Sequence, residues 1–320
     1  MNLALIGFGF MGATHLEALR RTPEVRVAGV VTRDARKLPE DLQCLTMEAA
    51  LADPAIDAVD ICLPTYLHAA VALDALRAGK HVLVEKPMAL DFPSAEAMAA
   101  EAARQGRVLM TAHVLRFWPA YVALRETVRG GAFGRVRHAR FERRSAVPGW
   151  GAWLLDPALS GGGAFDLLIH DADMCLQLFG TPAAVAAVGY TEGGAGPSLL
   201  DAQLYYPEMV AHISGGWQHP GAFPFRMEYT LTFERASVEY ASAGRLATLY
   251  SAGETRPIES GEGDPVAASY AAEIAYFADC CRTGRAPEVC PPRESARAVA
   301  LMQLLWDAAQ RNGEKIACRI

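Results

Sequence analysis

The run Gly7-Phe8-Gly9-Phe10-Met11-Gly12 constrains the fold of this chain more than any other feature. Before it stands Leu3-Ala4-Leu5-Ile6, an apolar run that reads as a buried parallel strand. After it, residues 13–20 read as a helix. Strand, G-x-G-x-x-G and helix in that order form the fingerprint of a dinucleotide-binding unit. Gly7 permits the tight turn. Gly9 leaves no side chain where a pyrophosphate must approach the backbone. Gly12 lets the helix pack closely on the strand. The helix N-terminus then offers N–H groups and a positive dipole end to the phosphates. Phe8, Phe10 and Met11 complete the loop and are candidate cofactor contacts together with the three glycines.

The following residues continue the alternation. Residues 25–31, 56–63, 81–84 and 108–112 read as strands. Residues 67–78 read as a helix stopped at Gly79, and a second helix is expected from a Ser94 cap to about Gln105, closed by Gly106. Such a series implies a doubly wound parallel sheet, an α/β Rossmann arrangement. The pattern then changes. Residues 135–145 alternate in character, and strands are expected at 183–189, 199–205, 210–215, 227–233, 238–241 and 246–250. Short turns separate them, so the second part is α+β with a large, mainly antiparallel open sheet. Gly193-Gly194-Ala195-Gly196-Pro197 reads as a flexible loop, and helices are expected at about 269–282 and 295–311. A chain of 320 residues exceeds the size at which single cores split. Two domains are expected, 1–116 and 117–320.

Composition excludes several partners. The net charge of -6 argues against nucleic acid. No apolar stretch approaches the roughly 18 residues of a membrane span, and no charged-then-apolar leader opens the sequence. Cys44, Cys62, Cys175, Cys280, Cys281, Cys290 and Cys318 are scattered and form no C-x-x-C pair. Reduced thiols in a cytoplasmic protein are expected, without a disulfide frame or metal site.

Glu85-Lys86-Pro87 directly follows a strand, at the carboxyl edge where doubly wound sheets bind ligands. A lysine there can donate a hydrogen bond to a reacting hydroxyl and stabilise its alkoxide character. Glu85 can hold the ammonium in place, and Pro87 fixes the loop. A third constellation is Gly161-Gly162-Gly163 followed by Asp166 and His170 on an expected helix reaching about Phe179. Asp166 and His170 lie four apart and share a helix face. Imidazole exchanges protons near neutrality, and the carboxylate can orient it or bind a substrate hydroxyl. Asp171 and Asp173 do not join His170 in a metal-ligand pattern.

In these motifs the chain resembles the Gfo/Idh/MocA family, the glucose–fructose oxidoreductase and inositol dehydrogenase group. The matching residues are Gly7 to Gly12 with His15, Pro64-Thr65-Tyr66-Leu67-His68, the run from Gly79 to Pro87, Gly161 to His170, and Ser269-Tyr270-Ala271-Ala272-Glu273-Ile274. The resemblance implies NAD(P)-dependent oxidation of a sugar or polyol hydroxyl, or reduction of the corresponding carbonyl. It implies Lys86, Asp166 and His170 as catalytic residues, and Pro64, Thr65, His68, Glu85 and Lys86 beside the cofactor. It also implies that the second domain binds substrate and joins chains into homodimers or homotetramers through its sheet.

Cofactor choice rests on the end of the second strand. Thr32 stands where NAD enzymes carry a carboxylate for the ribose 2′-hydroxyl, and Arg33 can pair with a 2′-phosphate. Asp34 has the alternative task of capping a short helix. The balance favours NADP over NAD. For substrate, His113, Arg116, Phe117, Trp118 and Tyr121 follow the last strand of the first sheet, and Trp150 and Trp153 can stack on a sugar ring. Arg143 and Arg144 can meet an acidic substrate, with a solvated strand edge the better reading for at least one. Trp217 and Trp306 read as core. Two other functions suit the same fold: a cofactor-dependent glycosidase without net NAD(P) turnover, and a non-catalytic nucleotide or sugar sensor. The presence of Lys86 and His170 argues against the sensor.

Overall fold

Leu3, Leu5 and Ile6 are fully buried, and strand β1 (Asn2–Ile6) that carries them is flanked on both sides. This computed structural model describes residues 1–191, 198–259 and 263–320; the glycine-rich stretch 193–197 lies outside them. Two compact units form. One holds Met1–Phe117 with Asp264–Val299, and the other holds Trp118–Gly263 with Ala300–Ile320.

The first unit is built on a parallel sheet. Its strands are β1, β2 (Arg26–Val31), β3 (Cys44–Leu45), β4 (Ala58–Ile61), β5 (His81–Glu85) and β6 (Leu109–Ala112). Their spatial order is β3-β2-β1-β4-β5-β6, so the chain reverses direction of travel between β1 and β4. Helices α1 (Phe10–Arg20), α2 (Met47–Ala52), α3 (Thr65–Arg77) and α4 (Phe92–Gln105) connect them. α4 starts earlier than its expected Ser94 cap: Asp91 caps it, accepting from the Ser94 N–H at 2.8 Å, and Pro93 falls in the first turn. A prolyl ring is tolerated there because its missing N–H would have had no helical partner.

Helix α8 (Pro265–Thr283) belongs to this first unit, although residues 264–299 were expected in the second. Its Ile274, Phe277, Ala278 and Cys280 share one buried cluster with Leu3, Leu19, Leu83 and Met110. The helix goes where that apolar face is buried, whatever its distance along the chain.

The second unit has a nine-stranded sheet. Its strands are β7 (Val136–Ala146), β8 (Ala184–Tyr190), β9 (Leu199–Tyr205), β10 (Val210–His219), β11 (Arg226–Phe233), β12 (Ala236–Ala241), β13 (Arg245–Ser251), β14 (Glu254–Pro257) and β15 (Ile316–Ala317). The order is β14-β13-β12-β11-β7-β10-β9-β8-β15, antiparallel except for the β7–β10 pair. Burial alternates along β9 and β11, so one face is packed and the other open. The unit's helices include α5 (Pro119–Gly130), α6 (Pro157–Ser160) and α7 (Gly163–Phe179). α9 (Pro292–Gln310) contains the division between the units. No helix was expected where α5 forms.

Two features place α7. A Cβ on Gly163 would lie 2.9 Å from the Trp217 ring, so glycine lets the helix start against that indole. Further along, Arg143 of β7 is only 2% exposed and grips Asp171 of α7 through two bonds, Nε–Oδ2 at 3.0 Å and Nη2–Oδ1 at 2.9 Å. The same guanidinium donates to the Tyr121 hydroxyl at 3.2 Å. Burial opposes its charge, but Asp171 and Tyr121 keep it protonated. Arg143 is therefore an internal brace. Arg144, the solvated neighbour, pairs with Glu142.

Removing one member of such a pair leaves a buried, uncompensated charge. Asp171→Ala should lower unfolding free energy by about 3–5 kcal/mol. Replacing both, as Arg143→Met with Asp171→Leu, should restore most of that loss. Urea denaturation of the single and double variants is the check, and a single variant within about 1 kcal/mol of the parent would remove the bracing role.

Candidate functional site

The three loop glycines do different physical work. Gly7 has φ +99°, and a Cβ there would meet the Cys62 carbonyl oxygen at 2.5 Å. A Cβ on Gly12 would meet the Gly7 carbonyl oxygen at 2.2 Å. Both are needed for the backbone to close. A Cβ on Gly9 would meet nothing within 4 Å. Gly9 is also the N-cap of α1, with no side chain capping the helix. An open approach to an uncapped helix N-terminus fits a pyrophosphate. Phe8 and Met11 pack against the cluster of Leu5, Leu16, Val30 and Cys62, while Phe10 is 58% exposed.

At the end of β2, Thr32 is half-buried and Arg33 is exposed. Asp34 caps the following turn of 3₁₀ helix, accepting from the Arg36 N–H, and pairs with the Arg36 guanidinium at 2.8 Å. Its carboxylate is thus engaged locally, the alternative task anticipated for it.

The loops after β4 and β5 emerge at the same edge of the sheet. Pro64 is half-buried and Thr65 opens α3, 2% exposed. The Lys86–Pro87 peptide is cis. Two residues expected beside the cofactor have internal partners. The buried His68 ring lies between the carbonyls of Pro87, 2.8 Å from Nδ1, and Leu63, 2.7 Å from Nε2, and as a neutral ring donates its one N–H to either of the two loops. Burial lowers its pKa below the usual histidine value. Glu85 is 5% exposed; its Oε2 accepts from the Lys86 backbone N–H at 2.9 Å. Its Oε1 lies 3.0 Å from His15 Nε2.

Glu85 is one member of a buried polar cluster that sequence reasoning missed as a unit. His15 Nδ1 is 2.8 Å from Asp60 Oδ2, and both residues are fully buried. Burial works against charge on His15, but the Asp60 carboxylate overrides it and holds the ring well above the usual histidine range. Burial likewise pushes Glu85 up, yet the His15 contact outweighs it and keeps the carboxylate below its ordinary value. Cys62 brings its sulfur within 3.7 Å of Asp60 Oδ1. Burial raises that thiol, so the His15–Asp60–Cys62 group is a hydrogen-bonded cluster with its sulfur protonated. From α8, the Tyr270 ring sits 5.5 Å from the His15 ring. Glu273 is fully buried, and neither carboxylate oxygen has a hydrogen-bond partner among the described residues. Burial pushes its pKa well above the ordinary value. The sequence signal for this cluster was Asp60, a lone carboxylate inside the apolar run Ala58-Val59-Asp60-Ile61-Cys62-Leu63.

On α7, Asp166 and His170 are half-buried, whereas Asp171 and Asp173 are buried. The candidate substrate residues fare differently. Arg116 is 1% exposed and spends its Nη1 on the Val289 carbonyl at 2.5 Å and on Glu294 at 2.9 Å. It anchors the segment after α8, a structural task not expected for it. His113 is buried, 1% exposed. Trp118 is buried and donates its Nε1–H to the Tyr240 hydroxyl at 3.2 Å. Trp153 is half-buried against Leu154, Leu167 and Trp217, a packing contact. Trp150 is 61% exposed.

Residues 1–113 match the sequence model of an oxidoreductase family with an NAD-binding Rossmann fold, GFO/IDH/MocA, and residues 121–239 match that family's C-terminal domain. The chain is similar to a 1,5-anhydro-D-fructose reductase from Ensifer adhaerens, 37% identical over 46% of this chain and 45% of the relative. It is similar to an inositol 2-dehydrogenase from Acidothermus cellulolyticus, 27% identical over 89% and 86% of the two chains. A solved levoglucosan dehydrogenase in complex with NADH shares the fold with a TM-score of 0.90, at 19% identity and covering 100% and 99% of the two chains. Matched stretches span about half the length of the first curated relatives.

Two measurements probe these arrangements. Gly9→Val should fold normally, since its side chain meets open space, yet lose on the order of tenfold or more in NAD(P) affinity. Gly7→Ala and Gly12→Ala should instead lower the melting temperature. Titration calorimetry beside thermal denaturation separates the two, and unchanged affinity in Gly9→Val would remove the loop's assignment. Glu273 gives a pH test. Its pKa is raised on folding, so the folded state keeps a proton that the unfolded chain releases above about 4.5. Stability then falls as pH rises from there toward the folded pKa, by roughly 1.4 kcal/mol per unit. Glu273→Gln should be more stable than the parent at pH 8, with the gain shrinking toward pH 5. Parallel stability curves would mean that Glu273 is charged in the fold.

Proposed function

The chain belongs to the GFO/IDH/MocA oxidoreductase family, and from that premise we propose that it moves a hydride between NAD(P) and a sugar, inositol or related polyol, or its carbonyl form. The observation that carries this reading is the position of three loops. Those after β1, β4 and β5 leave neighbouring strands at one edge, at the reversal point between β1 and β4. Doubly wound sheets bind their ligands there. The loop after β1 holds Gly9 at the open helix end, and the loop after β5 holds Lys86. The named activities of the relatives, on an anhydrofructose, an inositol and levoglucosan, support the substrate class.

Bound nicotinamide supplies the hydride acceptor or donor. The residues supply the rest. Gly9 and the first turn of α1 bind the pyrophosphate. Lys86 donates a hydrogen bond to the reacting oxygen and stabilises its alkoxide character. His170 takes the hydroxyl proton in the oxidative direction and returns it in the reductive one. Asp166 orients the imidazole or a substrate hydroxyl. We also propose a preference for NADP. Arg33 is exposed, and the adjacent carboxylate, Asp34, is held by Arg36. The 2′-phosphate then meets a guanidinium without facing a free carboxylate. The open sheet face is the surface proposed to join chains into dimers or tetramers.

A panel of sugars and polyols, including myo-inositol, levoglucosan and 1,5-anhydro-D-fructose, assayed with NAD(H) and NADP(H) by absorbance, tests the proposal. Turnover is expected with at least one substrate, more efficiently with NADP(H). On that substrate Lys86→Ala and His170→Ala should each lower kcat by on the order of 10²–10⁴-fold, the worth of a positioned proton-transfer group. Cofactor affinity should stay unchanged. Near-parental turnover by His170→Ala across pH would reject it as the base.

A further inference from the structure

We propose that His15 is a positioning residue for Lys86, acting through a buried chain that runs from Asp60 to His15 to Glu85 to the Lys86 backbone. The inference rests on the reading of Lys86 as catalytic and adds to it. Each link is a contact in the first unit: Asp60 Oδ2 to His15 Nδ1 at 2.8 Å, His15 Nε2 to Glu85 Oε1 at 3.0 Å, and Glu85 Oε2 to the Lys86 N–H at 2.9 Å. The three side chains are 0%, 0% and 5–6% exposed, so water does not substitute for a lost link.

The chemistry fixes the protonation of the ring. Both ring nitrogens face carboxylate oxygens, and a neutral imidazole has only one N–H to give. The ring therefore donates from both nitrogens as an imidazolium. Without it, two buried carboxylates would stand close together with no cation between them. The groups facing the ring are Asp60 on β4, Cys62 just beyond it, Glu85 at the end of β5 and Tyr270 on α8, and Glu273 on α8 is near enough to feel its charge. The only cation among these side chains is the ring itself. Glu85 is thereby held in one place from two sides, by the imidazolium and by the Lys86 N–H. Lys86 cannot shift along its loop without breaking the second of these bonds. A displacement of about 1 Å in a catalytic group costs on the order of 10²-fold in rate.

Nothing in the proposed chemistry uses His15 directly, since its ring is enclosed. A purely structural histidine would affect stability and leave the turnover of the folded enzyme alone. The two roles separate in the variants His15→Gln and Asp60→Asn. Hydrogen exchange at the Lys86 amide in the cofactor-free protein should be faster in His15→Gln than in the parent. Nitrogen-15 NMR of labelled histidine should show His15 of the parent doubly protonated at pH 7. On the best substrate of the panel, His15→Gln should lower kcat by on the order of 10- to 100-fold, with KM and cofactor affinity nearly unchanged. In a Lys86→Ala background the same change should have no further effect on kcat. Asp60→Asn should act in the same direction and more weakly, because it leaves the Glu85 contact in place.

Unchanged exchange at Lys86 in both variants, or a neutral His15 ring, overturns the proposal. So does an equal loss of kcat from His15→Gln in parental and Lys86→Ala backgrounds. If Lys86→Ala itself turns over normally, the reading of Lys86 fails, while exchange and the ring's charge still decide the hydrogen-bonded chain. Should His15→Gln not fold, Asp60→Asn and the parental spectrum carry the decision.

Discussion

Two buried carboxylates, Asp60 and Glu85, set the terms for the first unit. A buried ion costs several kcal/mol even after relaxation, and two of one sign are worse. His15 meets both. Because His15 sits on α1, Asp60 on β4 and Glu85 at the end of β5, the pairing fixes one helix against two strands. The glycine loop runs directly into that same helix, with Gly9 as its N-cap and Gly12 in its first turn. Its place at the sheet edge thus follows from a charge requirement deeper in the unit as well as from the steric demands of Gly7 and Gly12. His68 lies between the loops after β4 and β5, its ring against a carbonyl of each.

The second unit meets a similar requirement with other residues. Arg143 and Asp171 are buried together in a two-point contact, which fixes rotation as well as distance. Asp171 immediately follows His170. A helix turns about 100° per residue, so anchoring Asp171 inward leaves Asp166 and His170 on a different face, where both are half-buried. The rotation of α7 is thereby set by a residue that takes no part in the proposed chemistry. Gly163 permits the start of the helix and Asp171 its orientation.

Most of this architecture was legible in the sequence, because hydrophobic period and glycine placement are local properties. The parallel sheet, the long antiparallel one, the cap at Asp34 and the helix carrying Asp166 and His170 all follow from spacing. Partners distant in sequence were not legible. Arg116 reads as a cleft residue from its place after the last parallel strand, yet Val289 and Glu294, more than 170 positions away, claim it. The resemblance implies His68 and Glu85 beside the cofactor, and it does not show that carbonyls and an imidazole also hold them. α8 carries an ordinary amphipathic pattern that does not say which core it will cover. The Asp91 cap is masked in the sequence by Ser94, another good capping residue three positions later.

Residues that break a local rule are informative once their surroundings are known. Asp60 in an apolar strand and Glu273 on the buried face of α8 each look like errors when read alone. Together with Glu85 they bring three carboxyl groups within electrostatic range of one imidazole. One cation with two N–H groups can satisfy two carboxylates and no more. Asp60 and Glu85 have the contacts, at 2.8 and 3.0 Å, and Glu273 has none among the described residues. The third carboxyl can lower its cost only by keeping its proton, and burial together with the charges on Glu85 and Asp60 pushes it that way. The cluster therefore holds its protons unequally, on His15 and Glu273, although the sequence presents Asp60, Glu85 and Glu273 as equivalent acids.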